Sequence, residues 1–137
     1  MIASDPKIEA AINAVCGAGI LIRQIEQELV TAALTKDDRS PVTVADYASQ
    51  AVVAHILAAH LGDVRLVGEE DADLLRRAGN RAALERVVPF VDRVVPGTNT
   101  ETVCDLIDRG AQEPGDTFWT VDPIDGTKGF LRGDHYA

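Results

Sequence analysis

Aromatic residues and cysteines are scarce in this 137-residue sequence, which has three Phe, two Tyr, one Trp and two Cys. The hydrophobic fraction is still 46%, so we expect one domain of ordinary size with a core of Ala, Val, Ile and Leu. Neither Cys16 nor Cys104 has a second cysteine or a histidine at zinc-finger spacing. We therefore expect two reduced thiols packed in helices, and a reducing compartment.

Basic residues are also few. The chain has 13 Lys and Arg against 22 Asp and Glu, a net charge of −9. This balance excludes a nucleic-acid-binding surface, because a polyphosphate backbone needs clustered Lys and Arg. It is compatible with a small phosphorylated substrate, because bound cations invert the local field.

Targeting segments and two common catalytic motifs are missing as well. The N-terminus MIASDPKIEA is charged and has no apolar signal region, and no apolar run is long enough to span a bilayer. The sequence has neither a G-x-S-x-G elbow nor a G-x-x-x-x-G-K-[ST] loop. We therefore expect a cytoplasmic chain with no membrane partner. The sequence makes no prediction of the oligomeric state.

An apolar repeat predicts a long first helix, from residue 5 to about 34, capped by Ser4 or Asp5. Gly17 and Gly19 weaken its middle, and close packing against a neighbouring element is the expected reason. The predicted apolar face consists of Ile8, Ile12, Val15, Gly19, Ile22, Ile25 and Leu29.

A polar loop is predicted over 35–43, because Pro41 disfavours helix there. A second helix follows from about 44 to 60, and Gly62 is its expected stop. The residues Ala48, Val52, Ile56 and Ala59 line one side of it.

Two short strands are predicted, VRLV at 64–67 and TFWTV at 117–121. Between them, residues 71–110 read as three short helices, the second of which Pro89 ends or kinks. Two strands do not make an independently stable sheet. The order of elements therefore favours an α/β, layered α+β protein of which only part is present.

Acidic residues follow three apolar elements. Asp46 opens the second helix, Glu69 and Glu70 follow the first strand, and Asp122 with Asp125 follows the second. Ligand sites of α/β sheets lie beyond the carboxyl ends of the strands, so these side chains are expected to converge. Convergent carboxylates repel one another unless a cation neutralises them. Mg²⁺ is the expected ion, because it takes oxygen ligands and pairs carboxylates with phosphate oxygens.

The segment DPIDGT at 122–127 adds detail to this site. Pro123 stiffens the turn, so that both aspartates can face one ion with the carbonyl of Ile124 between them. Gly126 lets the backbone approach a ligand closely. Thr127 begins a predicted short helix whose free N–H groups suit a phosphate.

Each of these features also has a simpler interpretation. An isolated Asp-Gly pair is most often just a turn. Asp46 alone is most simply a helix N-cap, and Gly68-Glu69-Glu70 alone is a solvated strand end. Only their coincidence favours a metal and phosphate site.

Three motifs carry a family resemblance: SPVTVADYASQ, VGEED and DPIDGTKGFLRGD. The last resembles the metal-binding signature of the lithium-sensitive, Mg²⁺-dependent phosphatases that include inositol monophosphatase. Together the three look most like the 3'(2'),5'-bisphosphate nucleotidases of that superfamily. The resemblance covers nearly the whole chain. It implies the N-terminal part of the inositol monophosphatase/fructose-1,6-bisphosphatase-like sugar phosphatase fold.

The resemblance also implies roles for individual residues. It assigns Glu69, Asp122, Asp125 and the Ile124 carbonyl to Mg²⁺. It makes Asp46 and Thr127 the catalytic pair that orients and activates the attacking water, and it gives phosphate contacts to the backbone of Gly126 and Thr127. The implied reaction is hydrolysis of adenosine 3',5'-bisphosphate to AMP and phosphate, with 3'-phosphoadenylyl sulfate as a second candidate substrate.

The resemblance further implies that family members run on past residue 137, with a second layer, a third metal-binding aspartate and the base pocket. We therefore expect residues 1–137 to form the N-terminal portion of one phosphatase domain, truncated after the metal-binding motif and inactive alone. Two alternatives stay open. One is an inositol-phosphate or sugar phosphatase of the same superfamily, and the other is a non-catalytic metal-binding fragment.

Overall fold

A computed structural model describes residues 4–30, 40–132 and 135–137. The helices are α1 (Pro6–Ile25), α2 (Ser40–Leu61), α3 (Ala72–Arg76), α4 (Arg81–Asp92), α5 (Thr100–Asp108) and α6 (Thr127–Arg132). A π-helical turn, Glu26–Val30, continues α1, and a 3₁₀ turn, Ala78–Asn80, precedes α4. The strands are β1 (Leu66–Gly68) and β2 (Trp119–Val121). Helices packed against a small sheet confirm the predicted α/β class.

Helix α1 begins as predicted, because the side chain of Asp5 accepts a hydrogen bond from the N–H of Lys7 at 2.9 Å. The predicted helix is confirmed as far as Val30, and its last residues, 31–34, lie outside the described part of the chain. Gly17 packs closely as expected, since a Cβ there would lie 2.6 Å from Cδ1 of Ile56. Gly19 does not, since a Cβ there would meet nothing within 4 Å.

The predicted apolar face of α1 is wrong in its first half. Ile8, Ile12 and Val15 are 57%, 58% and 70% exposed. The buried positions are instead Ala10, Ala14, Ala18, Leu21, Ile22 and Ile25. Apolar residues occur on all sides of α1, so hydrophobicity alone does not decide which face is buried. The buried face carries three alanines, whose small side chains let α1 pack closely against α2.

Helix α1 also corrects the prediction that no apolar run could cross a bilayer. Pro6–Leu29 forms a helical stretch of 24 residues that is long and apolar enough to do so by length and composition. Core helices of folded domains can have the same length and composition. Part of this helix is buried in the core against α2.

Helix α2 starts earlier than predicted, at Ser40 rather than near residue 44. Pro41 therefore lies in the first turn, where the missing N–H of proline breaks no helical hydrogen bond. The rest of the predicted loop, 35–39, lies outside the described residues. The stop at Gly62 is confirmed: its φ is 75°, and its N–H donates to the carbonyl of Ala58 at 2.8 Å.

The three predicted short helices are present as α3, α4 and α5. Helix α4 continues through Pro89 to Asp92, so Pro89 does not end it, and the other expected outcome, a kink, stays a prediction. Pro89 is exposed, and a carbonyl that loses its partner N–H there is solvated by water. Cys104 is buried on α5 as expected, whereas Cys16 on α1 is exposed rather than packed.

The sheet is formed by β1 and β2, which pair in parallel with Leu66 opposite Trp119 and Gly68 opposite Val121. Both strands begin two residues later than predicted, and β1 ends one residue later, at Gly68. Their carboxyl ends lie at the same edge of the sheet, as parallel strands require. This register places the first residue after β1, Glu69, beside the first residue after β2, Asp122.

Candidate functional site

The site is centred on Glu69 and Asp122, where β1 and β2 end together. The N–H of Glu69 donates to the carbonyl of Val121 at 3.1 Å, which extends the ladder one residue past the strands. A side-chain hydrogen bond with Asp122 raises the pKa of Glu69, and burial together with the negative charges of Asp122 and Glu70 adds to the shift. The predicted convergence of the two strand ends is therefore present.

Asp46 reaches the same place from α2. Burial raises its pKa to about 7, and the negative charges of Glu70, Glu69 and Asp122 add to the shift. Asp46 lies well inside a helix that begins at Ser40, so its simpler interpretation as an N-cap is wrong.

Glu70 belongs to the group as well, although the sequence interpretation gave a role only to Glu69. Burial raises the pKa of Glu70, and Asp122 adds to that shift. The hydroxyl of Tyr47, a buried residue on α2, donates to the Glu70 carboxylate and opposes the rise. Asp46, Tyr47 and Glu70 line one wall of a cavity of about 320 Å³. Tyr47 had no sequence signal beyond following Asp46.

The loop after Asp122 is held by the last described residues. The N–H of Asp125 donates to the carbonyl of Ala137 at 2.6 Å, and the N–H of Ala137 donates back at 2.9 Å. The ring of Tyr136 packs edge-on to Phe130, with centroids 5.1 Å apart, and its hydroxyl donates to Glu26 at 2.6 Å. The loop is thus tied to the end of α1.

The remaining predicted site residues lie in this loop. The side chain of Ile124 is buried, and Asp125 is exposed. Gly126 has φ +82°, a value that glycine adopts without strain. Thr127 begins the six-residue helix α6 as predicted, but its side chain lies outside the described atoms.

Hard divalent cations suit the chemistry of this donor set. The pKa values of Asp46, Glu69 and Glu70 are raised, Asp122 contributes to each of these shifts, and a bound cation would relieve the repulsion among the carboxylates. Within residues 4–30, 40–132 and 135–137, no three acidic, histidine or cysteine side chains are already gathered closely enough to hold a metal. The predicted ligands therefore have the right chemistry without a closed cage.

These pKa shifts predict that the metal-free chain loses stability as pH rises. The folded-state pKa of Asp46 is raised to about 7 from 3.8, so its contribution is complete below pH 4 and is lost as pH rises through 7. After allowance for solvent screening of this partly exposed group, we expect the free energy of unfolding to fall by about 1–2 kcal/mol between pH 5 and 8.

Urea unfolding with EDTA present measures this change. Asp46→Asn is expected to flatten the pH dependence of the free energy of unfolding and to stabilise the chain at pH 8. Substitution of an exposed acid, Asp116→Asn, should leave the free energy of unfolding at pH 8 unchanged. A slope that is the same in Asp46→Asn would contradict the assignment of this shift to Asp46.

Comparison with known proteins gives the family. A model of the inositol monophosphatase family matches residues 4–137, so the chain belongs to that family, whose phosphatases are generally metal-dependent. The resemblance stated from the motifs is thereby confirmed.

Several curated relatives are more specific. The chain is 38% identical to 3'(2'),5'-bisphosphate nucleotidase 1 of Candida albicans, over 96% of this chain and 40% of that protein. It is 39% identical to the Arabidopsis thaliana protein of the same name, over 98% and 42%. It is 37% identical to the Schizosaccharomyces pombe 3'(2'),5'-bisphosphate nucleotidase, over 97% and 42%. The chain thus spans about two fifths of the length of these relatives.

Proposed function

We propose that this chain supplies the metal-binding part of a Mg²⁺-dependent phosphatase that hydrolyses adenosine 3',5'-bisphosphate to AMP and phosphate. The observation that carries the proposal is the convergence of Asp46, Glu69, Glu70 and Asp122 at one edge of a parallel sheet. The names of the relatives, all 3'(2'),5'-bisphosphate nucleotidases, support the substrate class. 3'-Phosphoadenylyl sulfate is the second candidate substrate, and the cytoplasm is the proposed location.

In this proposal Glu69, Asp122, Asp125 and the carbonyl of Ile124 hold Mg²⁺, as the family resemblance implies. A bound divalent cation supplies charge to the phosphoryl oxygens and lowers the pKa of a coordinated water. Carboxylates on two strand ends and one helix suit that task, because a divalent cation relieves their mutual repulsion at a pH where they are ionised.

Asp46 is proposed to accept the proton of the attacking water, together with Thr127. Burial and the neighbouring acids raise the pKa of its carboxyl to about 7 in the metal-free chain, close to the value that suits a general base near neutral pH. The backbone of Gly126 and Thr127 is proposed to contact the phosphate. The backbone requires glycine at this position, because its φ is +82° and a Cβ there would lie 3.3 Å from the carbonyl oxygen of His135.

An inositol-phosphate or sugar phosphatase is the alternative substrate class, since the family model that matches is the inositol monophosphatase family. A non-catalytic metal-binding fragment is the second alternative. We propose that residues 1–137 form the N-terminal portion of a larger phosphatase domain, because the relatives are about 2.5-fold longer.

A phosphate-release assay tests these alternatives. The purified chain, the longer protein that carries it and the full-length Schizosaccharomyces pombe relative are each given Mg²⁺ with adenosine 3',5'-bisphosphate, 3'-phosphoadenylyl sulfate or inositol phosphate. We expect turnover of the first substrate by the longer protein and by the relative, and at least ~10³-fold less by the chain alone, because proximity and orientation need the complete site. Comparable turnover by the chain would show that the rest of the domain is not required. A preference of the protein carrying this chain for inositol phosphate would overturn the nucleotide assignment.

A further inference from the structure

Gln50 is a polar residue with no solvent exposure, on α2 one helical turn after Asp46. Its side chain is not among the proposed metal ligands or phosphate contacts. Burying an amide is costly unless its donors and acceptor are paired, so its partners indicate what the residue is for.

Those partners lie in the segment that carries the site's glutamates. Oε1 of Gln50 accepts from the N–H of Glu70 at 2.9 Å, and Nε2 donates to the carbonyl of Glu70 at 2.9 Å. A weaker contact joins Nε2 to the carbonyl of Ile107 on α5, at 3.4 Å. The Gln50 amide thus pairs with both backbone polar groups of Glu70, as a neighbouring strand would.

Two glycines make room for this amide. A Cβ at Gly68 would lie 2.4 Å from Nε2 of Gln50, and one at Gly110 would lie 2.9 Å from the same atom. The N–H of Gly68 also donates to the carbonyl of Gly110 at 2.7 Å, which holds the two backbones side by side. The space between Gly68 and Gly110 therefore accepts the planar amide of Gln50, and a side chain at either glycine would clash with it.

We propose that Gln50 is a positioning residue that fixes Glu69 and Glu70 relative to Asp46 and thereby sets the affinity of the acidic group for a divalent cation. Asp46 and Gln50 share one rigid helix, and Gln50 binds both backbone polar groups of Glu70. The sheet holds Glu69 through Val121. Helix α2 and the end of β1 are consequently joined at Glu70, the residue next to the proposed ligand Glu69. This inference rests on the metal-dependent function proposed above.

Terbium luminescence provides a readout other than activity. Tb³⁺ is a hard ion that takes oxygen ligands, and Trp119, the single tryptophan of the chain, lies in β2 just before Asp122 and can sensitise it. The chain is titrated with Tb³⁺ and then with competing Mg²⁺. The variants are Gln50→Met, which keeps the bulk without the amide, and Val87→Ala, a core change on α4 that weakens folding away from the acids.

We expect Gln50→Met to weaken Tb³⁺ binding by about 10–100-fold, the usual effect of losing a partner that orients metal ligands. The Tb³⁺ affinity of Val87→Ala should stay within about twofold of that of the unaltered chain, provided that circular dichroism shows both variants to be folded. Binding by Gln50→Met within twofold of the unaltered chain would overturn the positioning role, as would an equal loss in Val87→Ala.

If Gln50→Met does not fold, amide hydrogen exchange of the unaltered chain decides the question. Because coupling between sites is reciprocal, Mg²⁺ must strengthen the Gln50–Glu70 bonds if those bonds favour Mg²⁺ binding. The Glu70 amide should therefore slow more on Mg²⁺ addition than the amide of Val87. Equal slowing would overturn the inference.

The same titrations separate this inference from the proposed function. Failure of the unaltered chain to bind Tb³⁺ saturably, or equal binding by Asp122→Asn, would overturn the metal site itself and the positioning role with it. Tight binding that is lost in Asp122→Asn but kept in folded Gln50→Met would overturn the positioning role alone.

Discussion

Under the proposed function, Asp122→Asn is expected to lower turnover of adenosine 3',5'-bisphosphate at least ~10³-fold in the protein that carries this chain, because it would remove a metal-binding charge worth several kcal/mol in the transition state. Asparagine keeps the size of aspartate and removes its charge at the strand end. Phosphate release at saturating substrate over a range of Mg²⁺ concentrations measures the effect. Asp116→Asn, an exposed acid before β2, is the matched control and should retain full activity.

The same substitution is expected to leave the stability of the metal-free chain unchanged or to raise it. Asp122 raises the pKa of Asp46, Glu69 and Glu70, so removing its charge relieves repulsion among them. The midpoint of thermal unfolding at pH 8 with EDTA should therefore stay equal or rise. Near-normal activity of Asp122→Asn would sink the assignment, whereas a loss of activity together with unfolding would indicate only a structural role.

Phe130→Ala is expected to cost about 3–5 kcal/mol in the free energy of unfolding, the usual range for removing a buried aromatic ring. Phe130 is 0% exposed and belongs to the main core. Its ring also meets Tyr136 edge-on, so the substitution loosens the residues that hold the loop after Asp122.

Urea unfolding followed by circular dichroism measures this loss. Phe130→Leu fills most of the same space and should cost less than about 1.5 kcal/mol. A cost under 1 kcal/mol for Phe130→Ala would mean that α6 contributes little to the core.

The acidic group could be predicted from the sequence because its signals are local. Carboxylates directly after two β-rich segments meet whenever those segments pair in parallel, and β1 and β2 do so with Gly68 opposite Val121. The start of α1 at Asp5 and the stop of α2 at Gly62 were predictable for the same reason. In each case residues close together in the sequence determine the local backbone conformation.

The missed features depend on contacts between distant segments. Ile12 and Ala14 both fit an apolar stripe on α1, and only the close approach of α2 decides that Ala14 is the buried one. Gln50 appears in the sequence as a polar residue in a helix, and its partners at Glu70 and Ile107 are far along the chain. Pro41 lies in the first turn of α2, where proline breaks no helical hydrogen bond, and α4 continues past the exposed Pro89, so neither proline ends a helix.

The bond between Tyr136 and Glu26 joins residues 110 positions apart, and it has a consequence for synthesis of the chain on the ribosome. The loop after Asp122 is held by residues that are among the last of these 137 to leave the exit tunnel. The helices α1 and α2 can pair while translation continues, since their contacts involve only residues made early. The acidic group can therefore assemble only after Asp122 has emerged and β1 can pair with β2, and the loop after Asp122 is fixed later still, when Tyr136 can reach Glu26.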